Sequence, residues 1–260
     1  MDPRCGAIEA VTGGYDFLLN KYNRAAQARR QPGSGFKPFL YASAFTHGYS
    51  PATVLLDAPV VFEDSELEGA WRPENYDGDF KGPMRLREAL VQSRNLVTIR
   101  LLQSVGIDTA RKDIEKFGFD KARMPRDLSM GLGTGSYTPL EMASAYAVLA
   151  NGGFRVQPYV IHSIVDAGGK TLFTAAPPTL CDAQCTAGKG SAEAQATPAS
   201  ASNAPAEAPQ VVDPRAVWLV DDVLREVTTR GTAAEARKLG RTDIAGKTGT
   251  TNDETDAWFN

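Results

Sequence analysis

The chain is poor in the residue types that metal sites and imidazole-based catalysis draw on. Three cysteines and two histidines occur in 260 residues. Cys181 and Cys185 lie close together with no histidine nearby, so a zinc site is not supported. The two fit either a local disulfide in an oxidising compartment, which leaves Cys5 odd, or free thiols. His47 and His162 are far apart and flank no carboxylate pattern, so both read as structural or surface residues. Charge of one sign is also lacking. The net charge of −3 gives no global field for nucleic acid or an anionic membrane. Lys21, Arg24, Arg29 and Arg30 form only a short basic cluster, read as a solvated face. No apolar run approaches the ~20 residues of a membrane helix, and no signal peptide opens the chain. Met1-Asp2-Pro3-Arg4 already reads as a turn inside a fold, and the chain stops in the apolar segment Asp256–Asn260, so a piece of a longer protein is expected.

What is present suits a folded domain. Hydrophobic content of 42% and charged content of 23% are ordinary globular values, and the length suffices for a sizeable core. Pattern and punctuation predict a strand over 5–11, a polar connection over 15–30 and a helix from Ser34 to about 47. Residues 49–83, broken by Pro51, Pro59, Pro73 and Pro83, are expected to be irregular and functional. Helices follow over about 84–91, 97–105 and 108–118, the last capped by Asp108. Gly131–Gly135 lacks the Lys-Ser/Thr ending of a phosphate loop and reads as a turn. Thr138-Pro139-Leu140-Glu141 is a capping box opening a helix to Ala150, whose alanines suggest a buried central element. Strands are expected near 158–165 and 171–174. Residues 186–210, within an insert spanning 181–210, are low-complexity Ala, Ser, Thr, Pro, Gln and Glu, and read as disordered. Asp213-Pro214 opens an amphipathic helix through Val227, and a short helix starts near Gly231.

Three short stretches carry possible chemistry. In Gln31–Phe39 a Pro-Gly turn releases into an apolar helix, which places Ser34 and Lys37 at i and i+3 on one face beside unpaired backbone N–H groups. A serine hydroxyl becomes a nucleophile when a neighbour takes its proton, and a lysine can do so if desolvation and nearby cations depress its pKa. One Ser-x-x-Lys match is roughly what chance supplies, and a capping Ser with a solvated Lys is the alternative. Ser93-Arg94-Asn95 sits at a break between two helices, either aimed into a cleft or merely capping. Lys247-Thr248-Gly249-Thr250 reads as a strand with Thr248 and Thr250 on one face and Lys247 and Gly249 on the other. The glycine lets a ligand carboxylate lie close; an edge strand with a protective Lys is the alternative.

Each of S-x-x-K, S-x-N and K-T-G occurs once, in that order, which is far less expected by chance than any one of them. With Asn23–Ser34, Trp71-Arg72-Pro73, Thr138–Met142 and Gly246–Asn252, they make the chain resemble the transpeptidase domain of class A penicillin-binding proteins over nearly its whole length, except the 181–210 insert. The middle motif is Ser-Arg-Asn rather than Ser-Asp-Asn.

The resemblance implies an α+β fold of the β-lactamase/transpeptidase type, an antiparallel sheet packed with helices, as one partial domain over 1–260. The first and last strands of that sheet would be missing, so the fragment alone is expected to fold poorly or be inactive. It implies a serine-type D-Ala-D-Ala transpeptidase or carboxypeptidase that cross-links peptidoglycan stem peptides and is acylated by β-lactams. Ser34 would be the nucleophile, Lys37 its general base, Ser93 the proton relay and Asn95 the group that holds the substrate amide and orients Lys37. Lys247 would keep the site positive, and Thr248, Gly249, Thr250 and Trp71 would bind substrate. No cofactor, metal or nucleic acid is implied. The parent would face the periplasm from the inner membrane, anchored there and fused to a glycosyltransferase domain. A β-lactamase, or a penicillin-sensing module that only acylates, carries the same three motifs.

Overall fold

The computed structural model describes residues 1–63, 70–180, 206–251 and 255–260. Most of the expected insert, with Cys181 and Cys185, lies outside the described residues. In chain order, a short helix α1 (Arg24–Gln27) is capped by Asn23, whose side chain accepts from the N–H groups of Ala25 and Ala26. A 3-10 turn at Gly33–Phe36 feeds α2 (Lys37–Thr46). Strands β1 (Val54–Asp57), β2 (Phe62–Glu63), β3 (Ala70–Trp71) and β4 (Gly82–Arg85) precede helices α3 (Leu86–Val91), α4 (Asn95–Val105) and α5 (Ile107–Glu115). Then come α6 (Pro139–Ala150), β5 (Ser163–Val165), β6 (Thr171–Thr174), α7 (Pro214–Arg230), β7 (Thr248–Thr250) and β8 (Ala257–Phe259). Among the described residues the strands pair antiparallel two by two: β1 with β4, β2 with β3, β5 with β6, and β7 with β8.

The central element is α2. Every residue from Phe36 to Phe45 is buried, because the run has no polar face beyond Lys37 and Ser43. Helices α3 to α7 surround it in one hydrophobic core. Phe36 stacks on Tyr137 at 5.5 Å and Phe39 meets Phe117, Phe119 and Tyr146, so aromatic rings fix the start of α2 from below. The amphipathic helix α7 adds Val217, Val220, Val223, Leu224 and Val227 to the core and leaves Trp218 outside. It is tied to α3 by Arg87, which bonds Asp222 and Glu226, and by Arg230, which bonds Glu88 and Glu226.

The expected capping box is formed. Thr138 Oγ1 accepts from the Glu141 N–H at 3.1 Å, and Glu141 Oε2 accepts from the Thr138 N–H at 2.8 Å. Several local expectations are corrected. The 5–11 strand is reduced to a parallel bridge between Ala7 and Tyr159. The α6 helix is not the central one; its buried side chains are Met142, Ala145, Ala147, Val148 and Leu149, whereas Ala143 and Ala150 are exposed, alanine being equally at home on either side. Helix α5 begins at Ile107 with Gly106 at its cap position, and Asp108 lies in its first turn rather than at its cap. Residues 49–83 are not simply irregular. Asp57 pairs with Gly82 and Leu56 with Pro83, a proline tolerated because each strand of a two-stranded sheet has an unpaired edge.

Candidate active site

The turn before α2 is shaped by glycine. Gly33 adopts φ +53, and a Cβ there would lie 2.3 Å from the Thr250 carbonyl oxygen. A Cβ on Gly249 would lie 2.3 Å from the Pro32 carbonyl oxygen and 3.0 Å from the Gly35 nitrogen. Strand β7 therefore rests backbone to backbone on the turn that carries Ser34, an approach that any side chain would prevent. Beneath the turn Gly133, left-handed at φ +77, makes the same kind of contact: its Cβ would meet the Gly33 carbonyl oxygen at 2.1 Å. The Gly-rich loop read as a turn thus has a further use as a floor for the Ser34 turn. Tyr146 pins the turn from the side by donating to the Gly35 carbonyl at 2.7 Å, and Trp258 Nε1 donates to the Gln31 carbonyl at 3.0 Å.

Within this frame Ser34 is half-buried between buried Gly33 and Gly35. Its Oγ makes no hydrogen bond among the described residues. Lys37, one turn on, is fully buried. Its Nζ donates to the Ser93 carbonyl at 2.7 Å and to Asn95 Oδ1 at 2.7 Å, and lies 3.3 Å from Ser93 Oγ. Ser93 sits between the end of α3 and the start of α4 with φ +58, the one non-glycine residue in left-handed backbone among the described residues. Such a conformation is disfavoured for a residue with a Cβ and is typical of functional sites. It aims Ser93 at a second buried lysine: Lys247 Nζ donates to Ser93 Oγ at 2.9 Å and to the Thr248 carbonyl at 3.0 Å. One hydroxyl thus bridges two buried amines.

Neither amine has a carboxylate partner among the described residues. Burial therefore opposes both charges. It holds Lys37 well below the usual lysine range, and the cations of Lys247 and Arg94 push it further. Burial alone brings Lys247 down to about 7. Both amines are thus pushed toward the neutral form, Lys37 by the neighbouring cations as well as by burial.

The β7–β8 ladder supplies one more feature. Lys247 and Asn260 exchange both backbone hydrogen bonds, and the Thr251 N–H donates to Asp256. In an antiparallel ladder with this register, Thr250 faces Ala257 as a non-hydrogen-bonded pair, so its N–H points away from β8 toward the Ser34 turn. The Ser34 N–H likewise has no backbone acceptor among the described residues. Two free N–H groups therefore flank Ser34.

The structure brings together Ser34, Lys37, Ser93, Asn95, Lys247, Thr248, Gly249 and Thr250. Thr248 Oγ1 is bonded to Thr232 Oγ1 at 2.6 Å, and Thr250 is exposed. Trp71 is different. Its ring lies against Phe62 at 5.7 Å, and it joins the cluster only through the chain, three residues before Glu74, whose carbonyl accepts from Asn95 Nδ2. Missed by sequence reading were Gly133, Tyr146 and a buried polar group of Asp57, Asn75 and Arg94 behind Asn95. A positive-φ demand leaves a glycine signal in sequence; Asp57 and Asn75 left none beyond their place in a Pro-rich stretch, and Arg94 none beyond its place inside the Ser93–Asn95 motif.

Comparison with known proteins gives the same picture. The family model described as "Penicillin binding protein transpeptidase domain" matches residues 1–257. Penicillin-binding protein 1A of Pseudomonas aeruginosa is 45% identical over 280 residues, covering all of this chain and 34% of that protein. The protein of the same name from Neisseria meningitidis is 44% identical over 260 residues, covering all of this chain and 30% of its own length. The chain thus spans about a third of the curated relatives it matches. The crystal structure of penicillin-binding protein 1A from Haemophilus influenzae superposes with a TM-score of 0.88 at 38% identity, covering 100% of this chain and 40% of that one. The penicillin G acyl-enzyme of penicillin-binding protein A from M. tuberculosis shares the fold, with a TM-score of 0.66 at 22% identity over 91% of this chain and 52% of its own. The motifs, the site they build and these likenesses agree: the chain belongs to the penicillin-binding protein transpeptidase domain family.

Proposed function

We propose that the chain is a peptidoglycan D,D-transpeptidase domain in which Ser34 forms an acyl-enzyme with stem peptides ending in D-Ala-D-Ala. The observation that carries this is the pair of buried, carboxylate-free lysines meeting on Ser93 Oγ beside an unbonded Ser34 hydroxyl. Lys37 Nζ meets the Ser93 carbonyl and Asn95 Oδ1 at 2.7 Å and Ser93 Oγ at 3.3 Å; in its neutral form it donates to the first two and has a lone pair to take a proton.

In acylation Ser34 Oγ bonds to the penultimate D-Ala carbonyl carbon while its proton passes to Lys37 Nζ. The N–H groups of Ser34 and Thr250 hold the oxyanion, a contribution of roughly 3–4 kcal/mol per donor in other acyl-transfer enzymes. The C–N bond then breaks, and Ser93 relays a proton to the departing amine of D-Ala. Thr248, Thr250 and the Lys247 cation hold the terminal carboxylate, Gly249 serves them by letting strand β7 lie against the Ser34 turn rather than by making room for substrate, and Asn95 takes the substrate amide. In the second half an amine of a neighbouring stem bonds to the ester carbonyl carbon and loses its proton to Lys37; the bond from that carbon to Ser34 Oγ then breaks and Lys37 returns the proton to Oγ, while water in place of the amine gives a carboxypeptidase. A β-lactam enters the same first step, its ring nitrogen staying tethered, so the ester persists. The chain spans about a third of the penicillin-binding protein 1A relatives, and our reading of the whole protein is one anchored at the periplasmic face of the inner membrane that also carries a glycosyltransferase domain.

The test is a D-Ala-D-Ala donor peptide offered with an amine acceptor to the protein as made in its host. Release of D-Ala with formation of the cross-linked amide is expected, and both are lost in Ser34→Ala. Rapid hydrolysis of a penicillin would identify a β-lactamase instead, and penicillin acylation with no peptide turnover would identify a sensing module.

A further inference from the structure

Behind Asn95 lies a buried polar group with no place in the steps above. Asn75 is 4% exposed and uses all four hydrogen-bonding positions of its amide. Its Oδ1 accepts from the backbone N–H groups of Asn95 at 2.9 Å and Leu96 at 3.3 Å. Its Nδ2 donates to Asp57 Oδ1 at 2.8 Å and to the Asp79 carbonyl at 2.9 Å. The amide has one orientation, since a flip would set N–H against N–H at one end and oxygen against oxygen at the other. Helix α4 has no cap of its own, for Arg94 at its cap position makes no capping bond. Asn75 therefore caps α4 from twenty residues upstream. The neighbouring Glu74 carbonyl accepts from Asn95 Nδ2 at 2.8 Å, which turns Asn95 Oδ1 toward Lys37 Nζ.

Asp57 anchors the arrangement. It is fully buried, and its Oδ2 accepts from Arg94 Nε at 2.9 Å and from the Lys81 N–H at 3.1 Å. Arg94 also donates to Asp77 Oδ2 at 2.6 Å and to the Asp79 carbonyl. The residue between Ser93 and Asn95 is thus held on one side and the first turn of α4 on the other.

We propose that Asn75 is a positioning residue for acyl transfer: anchored on Asp57, it caps α4 and so keeps Asn95 Oδ1 and the Ser93 carbonyl on Lys37 Nζ. The proposal rests on Ser34 being the acylated residue. Its test measures the acylation rate constant separately from the dissociation constant, using a chromogenic cephalosporin and the protein as made in its host. Asn75→Ala lowers the rate constant on the order of 10²-fold, the cost of a misplacement of about 1 Å, and leaves the dissociation constant nearly unchanged. Asn75→Asp sets two carboxylates face to face and does at least the same damage. Adding Asp57→Asn to it restores an N–H···O bond between the two positions and recovers part of the rate. This pair keeps the test decisive if Asn75→Ala fails to fold. A purely structural role would lower the melting temperature but leave the rate constant of the folded protein unchanged, and that result overturns the proposal. So does a double variant that regains stability without rate. A wild-type protein that is not acylated at all removes the Ser34 reading, and this proposal with it.

Discussion

Lys37→Met is expected to lower the rate of Ser34 acylation by ~10²–10⁴-fold, the usual contribution of a general base, while the protein stays folded. Methionine is unbranched, apolar and near in length, and the site it enters is fully buried with no carboxylate to lose. The pH profile separates this role from a structural one. Acylation needs Lys37 neutral, so the rate rises with pH through the Lys37 pKa, which lies well below that of an ordinary lysine because of burial first, then Lys247 and Arg94. Substrate capture needs Lys247 charged, so the second-order rate constant of the free protein falls as pH passes about 7, the value burial gives Lys247. The profile is a bell whose limbs belong to the coupled pair of amines. Lys247→Met removes a neighbouring cation, which raises the Lys37 pKa. The acid limb therefore moves to higher pH and the alkaline limb disappears. An acid limb that stays in place or moves down contradicts the assignment of Lys37 as base.

Gly249→Ala tests the other half of the site. The added Cβ would lie 2.3 Å from the Pro32 carbonyl oxygen, so strand β7 has to lift from the Ser34 turn. The Thr250 N–H goes with it, away from the oxyanion. Misplacement of about 1 Å and loss of one oxyanion donor each cost on the order of 10²-fold or more, and the expected loss in acylation rate is of that size. Gly168→Ala, at a position where a Cβ meets nothing closer than 3.4 Å, leaves the rate unchanged and serves as the control. A Gly249→Ala protein acylated at the wild-type rate would show that strand and turn need not touch.

Local signals in the sequence located much of this site. The Pro-Gly turn before an unbroken apolar run marks the Ser34 helix, the interruption after α3 marks Ser93, and the Thr138–Glu141 box marks the start of α6. Each of these depends on residues a few positions apart. What stayed hidden depends on distant contacts. The Ala-rich α6 outranked α2 as the expected central helix because alanine carries little burial information. The joint burial of Asp57, Asn75 and Arg94 left no mark in the sequence, since nothing local tells that a carboxylate, an amide and a guanidinium from three separate stretches satisfy one another in the interior. Gly133 read as a turn former, while its backbone contact with Gly33 comes from a loop a hundred residues away.

The most direct measurement is mass spectrometry of the protein as made in its host after exposure to a penicillin, followed by peptide mapping. One penicilloyl group per molecule on the peptide containing Ser34, absent in Ser34→Ala, is the predicted result. An adduct on another residue, or one that survives Ser34→Ala, would contradict the account.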